Sequence, residues 1–117
     1  MTSQNNHINY IEFKATDLEK IKEFYSTTFG WNFTDYGPNY VSFSNSGLAG
    51  GFEKTEEKIV NGVLVVLYHT DLEMIKNKVI QSGGIITKDV FSFPGGQRFQ
   101  FLDPSGNELS VWLDEEA

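Results

Sequence analysis

The side chains able to do chemistry in this chain are mainly carboxylates, amides, hydroxyls and aromatic rings. Its 117 residues include 16 Asp and Glu, 10 Phe, 5 Tyr and 2 Trp, against 9 Lys and Arg, 2 His and no Cys. Without Cys, disulfides, thiolate metal sites, iron–sulfur clusters and a cysteine nucleophile are excluded. Two segments carry the reactive types at alternate positions: Tyr10-Ile11-Glu12-Phe13-Lys14 and Glu108-Leu109-Ser110-Val111-Trp112-Leu113. Period-two alternation belongs to β-strands, whose successive side chains point to opposite faces. Tyr10, Glu12 and Lys14 then share one face, and Glu108, Ser110 and Trp112 share another. In Arg98-Phe99-Gln100-Phe101 the same rule puts Arg98 and Gln100 on the more polar face.

The aliphatic faces are expected to meet helices. That leaves Tyr10, Glu12, Gln100, Glu108, Ser110 and Trp112 to line a concavity with aromatic walls and a few polar groups, the usual make-up of a small-molecule site. Ionised Glu12 and Glu108 would favour a cationic or polar aromatic ligand through ion pairing and cation–π contact. A carboxylate such as Glu12 could act as a general base if an apolar pocket raised its pKa. No nucleophile–base pair is identifiable, so the catalytic residues stay unknown. Structural roles compete at each position: Trp112 as core, Glu12 as partner of Lys14 or of another chain, Ser110 as a small filler. His7, in the approach to the first strand, reads as exposed, and His69, just before a helix, as a surface or capping residue.

The elements that must position these residues come from an internal repeat. Thr16-Asp17-Leu18-Glu19-Lys20-Ile21-Lys22 recurs as Thr70-Asp71-Leu72-Glu73-Met74-Ile75-Lys76, offset by 54 residues and identical at six of seven positions. Each Thr-Asp pair can cap a helix, with Glu19 and Glu73 near its positive end. The first helix presents Leu18, Ile21, Phe24, Tyr25 and Phe29 on one face and stops at Gly30; the second presents Leu72, Ile75 and Val79 and stops at Gly83-Gly84. Such spacing is amphipathic, and Gly favours the left-handed residue that ends a helix. Strands are expected over 8–14 and 63–68 ahead of the helices, and after them over 31–36, 40–44 and 47–53, then 85–90, 98–102 and 107–113.

The chain thus reads as one α+β domain of two βαβββ modules, about 8–53 and 63–113, joined by a polar linker over 54–62. Neither module covers its own sheet. Two curved sheets side by side, helices outside, bury the apolar faces and leave a concave cavity.

Composition removes several function classes. A net charge of −7 offers no basic footprint for nucleic acid. No apolar run approaches the roughly 20 residues of a membrane span, and Met1 to Asn6 lacks a signal-peptide layout. A cytoplasmic location is expected.

The order of elements, with Asp17-Leu18-Glu19-Lys20-Ile21-Lys22-Glu23-Phe24-Tyr25, Phe29-Gly30-Trp31, Gly50-Gly51-Phe52, Gly83-Gly84 and Phe101-Leu102-Asp103-Pro104-Ser105-Gly106-Asn107-Glu108-Leu109, resembles the glyoxalase/bleomycin-resistance/dioxygenase (vicinal oxygen chelate) superfamily. The last stretch is also turn chemistry in its own right: Pro sets φ, Gly takes φ > 0 and Asp bonds back to the backbone. In metal-using members such as glyoxalase I, the ligands are His, Glu or Gln on the first and last strands of each half. The resemblance puts those positions at Tyr10, Leu64, Ser110 and Gly50 or Gly51. These residue types are not a divalent-metal first shell. A relocated set of Glu12, Glu108 and His69 is conceivable, but no spacing demands it.

With no metal and no other cofactor expected, the resemblance implies a glyoxalase-like protein that binds a small molecule, sequestering a cationic or aromatic compound as bleomycin-resistance members do. The alternative is a lyase- or isomerase-type enzyme, related to lactoylglutathione lyase, with relocated ligands or metal-free acid/base chemistry. A ligand-sensing module without catalysis is a third. The resemblance also implies a homodimer, in some members with halves exchanged between chains.

Overall fold

The computed structural model describes residues 3–115. The first half runs β1 (Ile11–Ala15), α1 (Leu18–Phe29), β2 (Asn32–Asp35), β3 (Tyr40–Ser44) and β4 (Gly50–Lys54). The second runs β5 (Val65–Tyr68), α2 (Leu72–Gln81), β6 (Ile85–Phe93), β7 (Gly96–Leu102) and β8 (Glu108–Asp114). The strands form two four-stranded mixed sheets of the same order, β1-β4-β3-β2 and β5-β8-β7-β6, with the outer pairs β1·β4 and β5·β8 parallel. Strand, helix and three strands, twice over, is the expected α+β architecture.

The helix ends form as the residue types require. Asp17 Oδ1 accepts from Lys20 N and Asp71 Oδ1 from Met74 N, each over 3.1 Å. Gly30 closes α1 in the left-handed region at φ 76°. At the second helix Ser82 caps at φ −92° and Gly83 takes the positive φ of 103°.

Most strand boundaries differ from the expected ones, by one or two residues and in three strands by three: β1, β4, which begins at Gly50 rather than at residue 47, and β6. β1 begins at Ile11 rather than at residue 8, because its parallel partner starts at Gly50, opposite Ile11. β6 runs on to Phe93 because Pro94-Gly95 turns the chain straight into β7, pairing Phe93 with Gly96; the strand accommodates register shifts between Ile86 and Phe91.

Both helices pack on the apolar sheet faces. Ile21, Phe24 and Tyr25 of α1 and Ile75 and Val79 of α2 are buried with Val41 and Phe52 of the first sheet and Phe99, Phe101, Leu109 and Val111 of the second. Aromatic contacts cross between the halves, with Phe24 and Phe29 each 6.0 Å from the Phe101 ring. Alternation then sends residues 10, 12 and 14, and 98, 100, 108, 110 and 112, to the faces away from the helices.

Candidate functional site

On the first sheet a chain of hydroxyls leads to a carboxylate. The Tyr10 and Tyr40 hydroxyls lie 2.5 Å apart, and Tyr40 donates to Glu12 Oε1 over 3.0 Å. Gly51, paired with both Glu12 and Ser42, forms the floor beneath them. A Cβ there would run into the Tyr40 hydroxyl and stand 2.7 Å from that of Tyr10. The two phenols meet because Gly51 has no side chain. Burial, then the bonds to Tyr10 and Glu12, push the Tyr40 phenol above the usual tyrosine range. Lys14, next along this face, is paired with Glu53, whose bond and charge raise its ammonium pKa.

On the second sheet Glu108 Oε2 accepts from Thr87 Oγ1 over 2.8 Å and from Gln100 Nε2 over 3.0 Å. Ser110 is fully buried and donates to the Phe99 carbonyl over 2.9 Å. Half-buried Trp112 stands edge-on to Tyr68, ring centres 5.8 Å apart, and 6.4 Å from Phe93. Arg98 lies opposite Trp112 in the β7·β8 pairing.

Between the halves lies a cleft of about 890 Å³, bordered by Glu12, Lys14 and Glu53 on one side, Asn107 and Glu108 on the other, and Ile59 from the segment that joins the halves. Of the six residues expected to line a cavity, Glu12 and Glu108 border this cleft. Tyr10 connects to it through Tyr40, and Gln100 through its bond to Glu108. Ser110 and Trp112 lie further along β8, away from it.

Two participants escaped the sequence reading. Tyr40 opens the alternating run Tyr40-Val41-Ser42-Phe43, so the signal that marked Tyr10 and Glu12 was present there too. Thr87 sits between register shifts in β6, where alternation is broken and no pattern identifies its face.

The residues at the metal-ligand positions do not fit a metal. Tyr10 is tied to Tyr40, Leu64 and the two glycines bring no donor, and the Ser110 hydroxyl is buried against a carbonyl. The relocated set is not assembled either: His69 Nδ1 accepts the Asp71 N–H over 2.9 Å at the start of α2, a capping role. Among the described residues no three His, Asp or Glu side chains form a group able to hold a metal ion.

A family profile decides the kinship. That of the Glyoxalase/Bleomycin resistance protein/Dioxygenase superfamily matches residues 7–111. The chain belongs to this superfamily. A glyoxylase-like domain-containing protein of Didymella fabae is 33% identical over 116 residues, covering 89% of this chain and 91% of its own length. A putative glyoxylase, CFP32, of Mycobacterium bovis is 25% identical over 118 residues; the match takes in 89% of this chain but only 44% of CFP32.

Among solved structures, a superfamily enzyme from Burkholderia phytofirmans superposes with a TM-score of 0.80 at 15% identity, covering 91% of this chain and 97% of that one. TnmS3, an antibiotic binding protein from Streptomyces sp. CB03234, superposes at 0.72 with 18% identity, covering 97% and 100%. At these identities the structural likeness is one of fold. No helix among the described residues is long and apolar enough to cross a membrane.

Proposed function

We propose that this superfamily member binds a cationic, aromatic small molecule in the cleft between its halves without the help of a metal. The observation that carries the reading is the pairing of Glu12 and Glu108, one from each half, on a single cleft of about 890 Å³. Both carboxylates are held by neutral donors, Tyr40 for Glu12 and Thr87 and Gln100 for Glu108. Of the three lysines that border the cleft, Lys14 is engaged with Glu53 and Lys54 with Glu56, while Lys58 lies on the linker that joins the halves. A ligand cation between the two carboxylates would gain charge-assisted hydrogen bonds. TnmS3, an antibiotic binding protein, supports small-molecule binding as a use of this fold. A cytoplasmic homodimer is the setting we propose for it.

Calorimetry in chelator-treated buffer tests the reading, with a panel of protonated aromatic amines and their neutral isosteres. Saturable, salt-sensitive binding of the cations is expected, weakened at least tenfold in Glu12→Gln and in Glu108→Gln. Equal binding of the neutral isosteres, or binding that appears only on adding nickel, zinc, manganese or iron(II), would overturn it.

One feature favours a second reading, metal-free acid/base chemistry of the lyase or isomerase type. The hydroxyl chain from Tyr10 through Tyr40 ends on the Glu12 carboxylate, a group able to take a proton from a bound substrate. Turnover of hemithioacetals by the metal-free protein, lost in Glu12→Gln, would select this reading over simple binding.

A further inference from the structure

We infer that the face of the second sheet away from the helices carries an anion subsite, built on Arg98 and flanked by Phe91, Phe93 and Trp112, that takes the carboxylate of a planar aromatic acid. Arg98 is the sole arginine of a chain with 16 acidic residues. Each of the six ion pairs among the described residues nevertheless uses a lysine, and none uses Arg98.

Its guanidinium carbon lies 5.3 Å from the Phe91 ring centre and 5.5 Å from that of Phe93. Its Nε is buried without a hydrogen-bond partner. Arg98 is half-buried; the two phenylalanines flank its guanidinium, and no protein acceptor replaces water at the buried Nε. Desolvating a charged donor without a partner is costly unless something supplies the acceptor. The guanidinium fork matches a carboxylate in two parallel bonds, a fit that a lysine does not offer.

The aromatic half of the ligand has its own surface. Trp112 stands directly across from Arg98 in the β7·β8 pairing and within ring-contact range of Phe93. A flat ring with its carboxylate toward Arg98 would stack on these walls.

This subsite is distinct from the acidic cleft. Glu108, which borders the cleft, and Trp112, beside Arg98, are four positions apart on β8, roughly 13 Å at the usual strand rise. β8 thus runs from an acidic cleft at Glu108 to the basic Arg98 beside Trp112, and the subsite does not depend on what occupies the cleft.

The sole arginine gives a single arginine Nε–H signal in a ¹H–¹⁵N correlation spectrum, which makes the test direct. Benzoate is titrated into ¹⁵N-labelled protein, with benzamide, benzylamine and acetate as comparisons and Trp112→Phe to assign the indole signals. Saturable shifts of the Arg98 Nε–H and the Trp112 indole are expected with benzoate. Acetate should bind at least tenfold more weakly, and benzamide and benzylamine should leave the Arg98 signal in place. Arg98→Gln should weaken benzoate at least tenfold and Arg98→Lys by several-fold, the latter keeping the charge if the former fails to fold. Glu12→Gln should leave benzoate binding unchanged, which separates failure of this subsite from failure of the cleft reading. No saturable shift with benzoate, an equal response to benzamide, or unchanged affinity in the Arg98 variants would overturn the inference.

Discussion

Tyr25 and Asp103, 78 residues apart in the chain, are joined by a buried hydrogen bond in which the tyrosine hydroxyl donates to Asp103 Oδ2 over 2.9 Å. The bond runs from the helix of the first half to the hairpin of the second. The other carboxylate oxygen accepts the backbone N–H groups of Ser105, Gly106 and Asn107, and Asn107 Nδ2 reaches both Asp103 and the Lys14 carbonyl. One side chain thus shapes the turn before β8 and ties it to α1, while its neighbour ties the turn to β1. Removing the hydroxyl in Tyr25→Phe should cost about 1–2 kcal/mol of folding stability by urea denaturation. Asp103→Ala strands three N–H groups as well, and should cost roughly 3 kcal/mol or more. Losses below about 0.5 kcal/mol in both would mean that the hairpin is held by packing alone.

Gly50 and Gly51 are adjacent but should respond differently to a methyl group. At Gly51 the added carbon meets the hydroxyl ends of Tyr40 and Tyr10, which can rotate away. At Gly50 it meets the backbone carbonyl of Ile11 and the Phe43 ring, and a backbone strand cannot rotate away. Gly51→Ala is expected to cost about 1–3 kcal/mol and to break the Tyr10–Tyr40–Glu12 chain, with much of the cost removed in a Tyr40→Ala background. Gly50→Ala should cost more and show no such rescue. Denaturation of Gly50→Ala, Gly51→Ala, Tyr40→Ala and the two double variants decides it, and equal costs at the two positions would contradict the geometry.

Three of the five tyrosines should resist alkaline titration. Burial, reinforced by Asp103, raises Tyr25 well above the ordinary phenol; burial, with Tyr10 and Glu12, raises Tyr40; the bond to Asp114 raises Tyr68. In each case the fold favours the neutral phenol. The associated stability is fully present below the unfolded pKa of about 10 and is lost as pH rises through the folded values. Absorbance at 295 nm should therefore report fewer tyrosinates in the native chain than in urea just above pH 10. The remainder should appear together with the loss of near-UV circular dichroism. Superimposable titrations with and without urea would remove the protection argued for these three groups.

The parts of this molecule legible in its sequence are those governed by local chemistry. Asp17 and Asp71 announce helix starts because a short carboxylate reaches free N–H groups, and Gly30 announces a helix end because positive φ suits it. Asp103-Pro104-Ser105-Gly106 announces a turn for the same kind of reason. Strand faces followed from alternation wherever the ladder is regular, which put Tyr10 and Glu12 on one face of the first strand and Glu108, Ser110 and Trp112 on one face of the last. What alternation could not supply is the partner across the sheet. Tyr40 meets Glu12 only because β3 and β1 flank β4, a relationship carried by strand order and not by spacing. Thr87 was hidden by the register shifts in β6. The sharing of one cleft by Glu12 and Glu108, but not by Trp112, depends on how the two sheets sit against each other.

The repeated helix caps offer a test of whether the two halves unfold as one. Asp17→Ala and Asp71→Ala each remove a single cap bond and should each cost about 1 kcal/mol. They sit in different halves, yet Thr16 N bonds Ser105 Oγ over 3.0 Å, Asn107 Nδ2 bonds the Lys14 carbonyl over 2.8 Å, and Phe24 packs on Phe101. With these links intact, loosening either helix should lower the midpoint of one shared transition, and the double variant should show the sum of the two costs. Trp31, buried in the first half, reports its side alone in a Trp112→Phe background, while circular dichroism reports both. Coincident midpoints are expected for the two probes in every variant. If Asp71→Ala moved the circular dichroism transition and left Trp31 fluorescence where it was, the halves would be separate folding units, and the cleft between them could open without unfolding either.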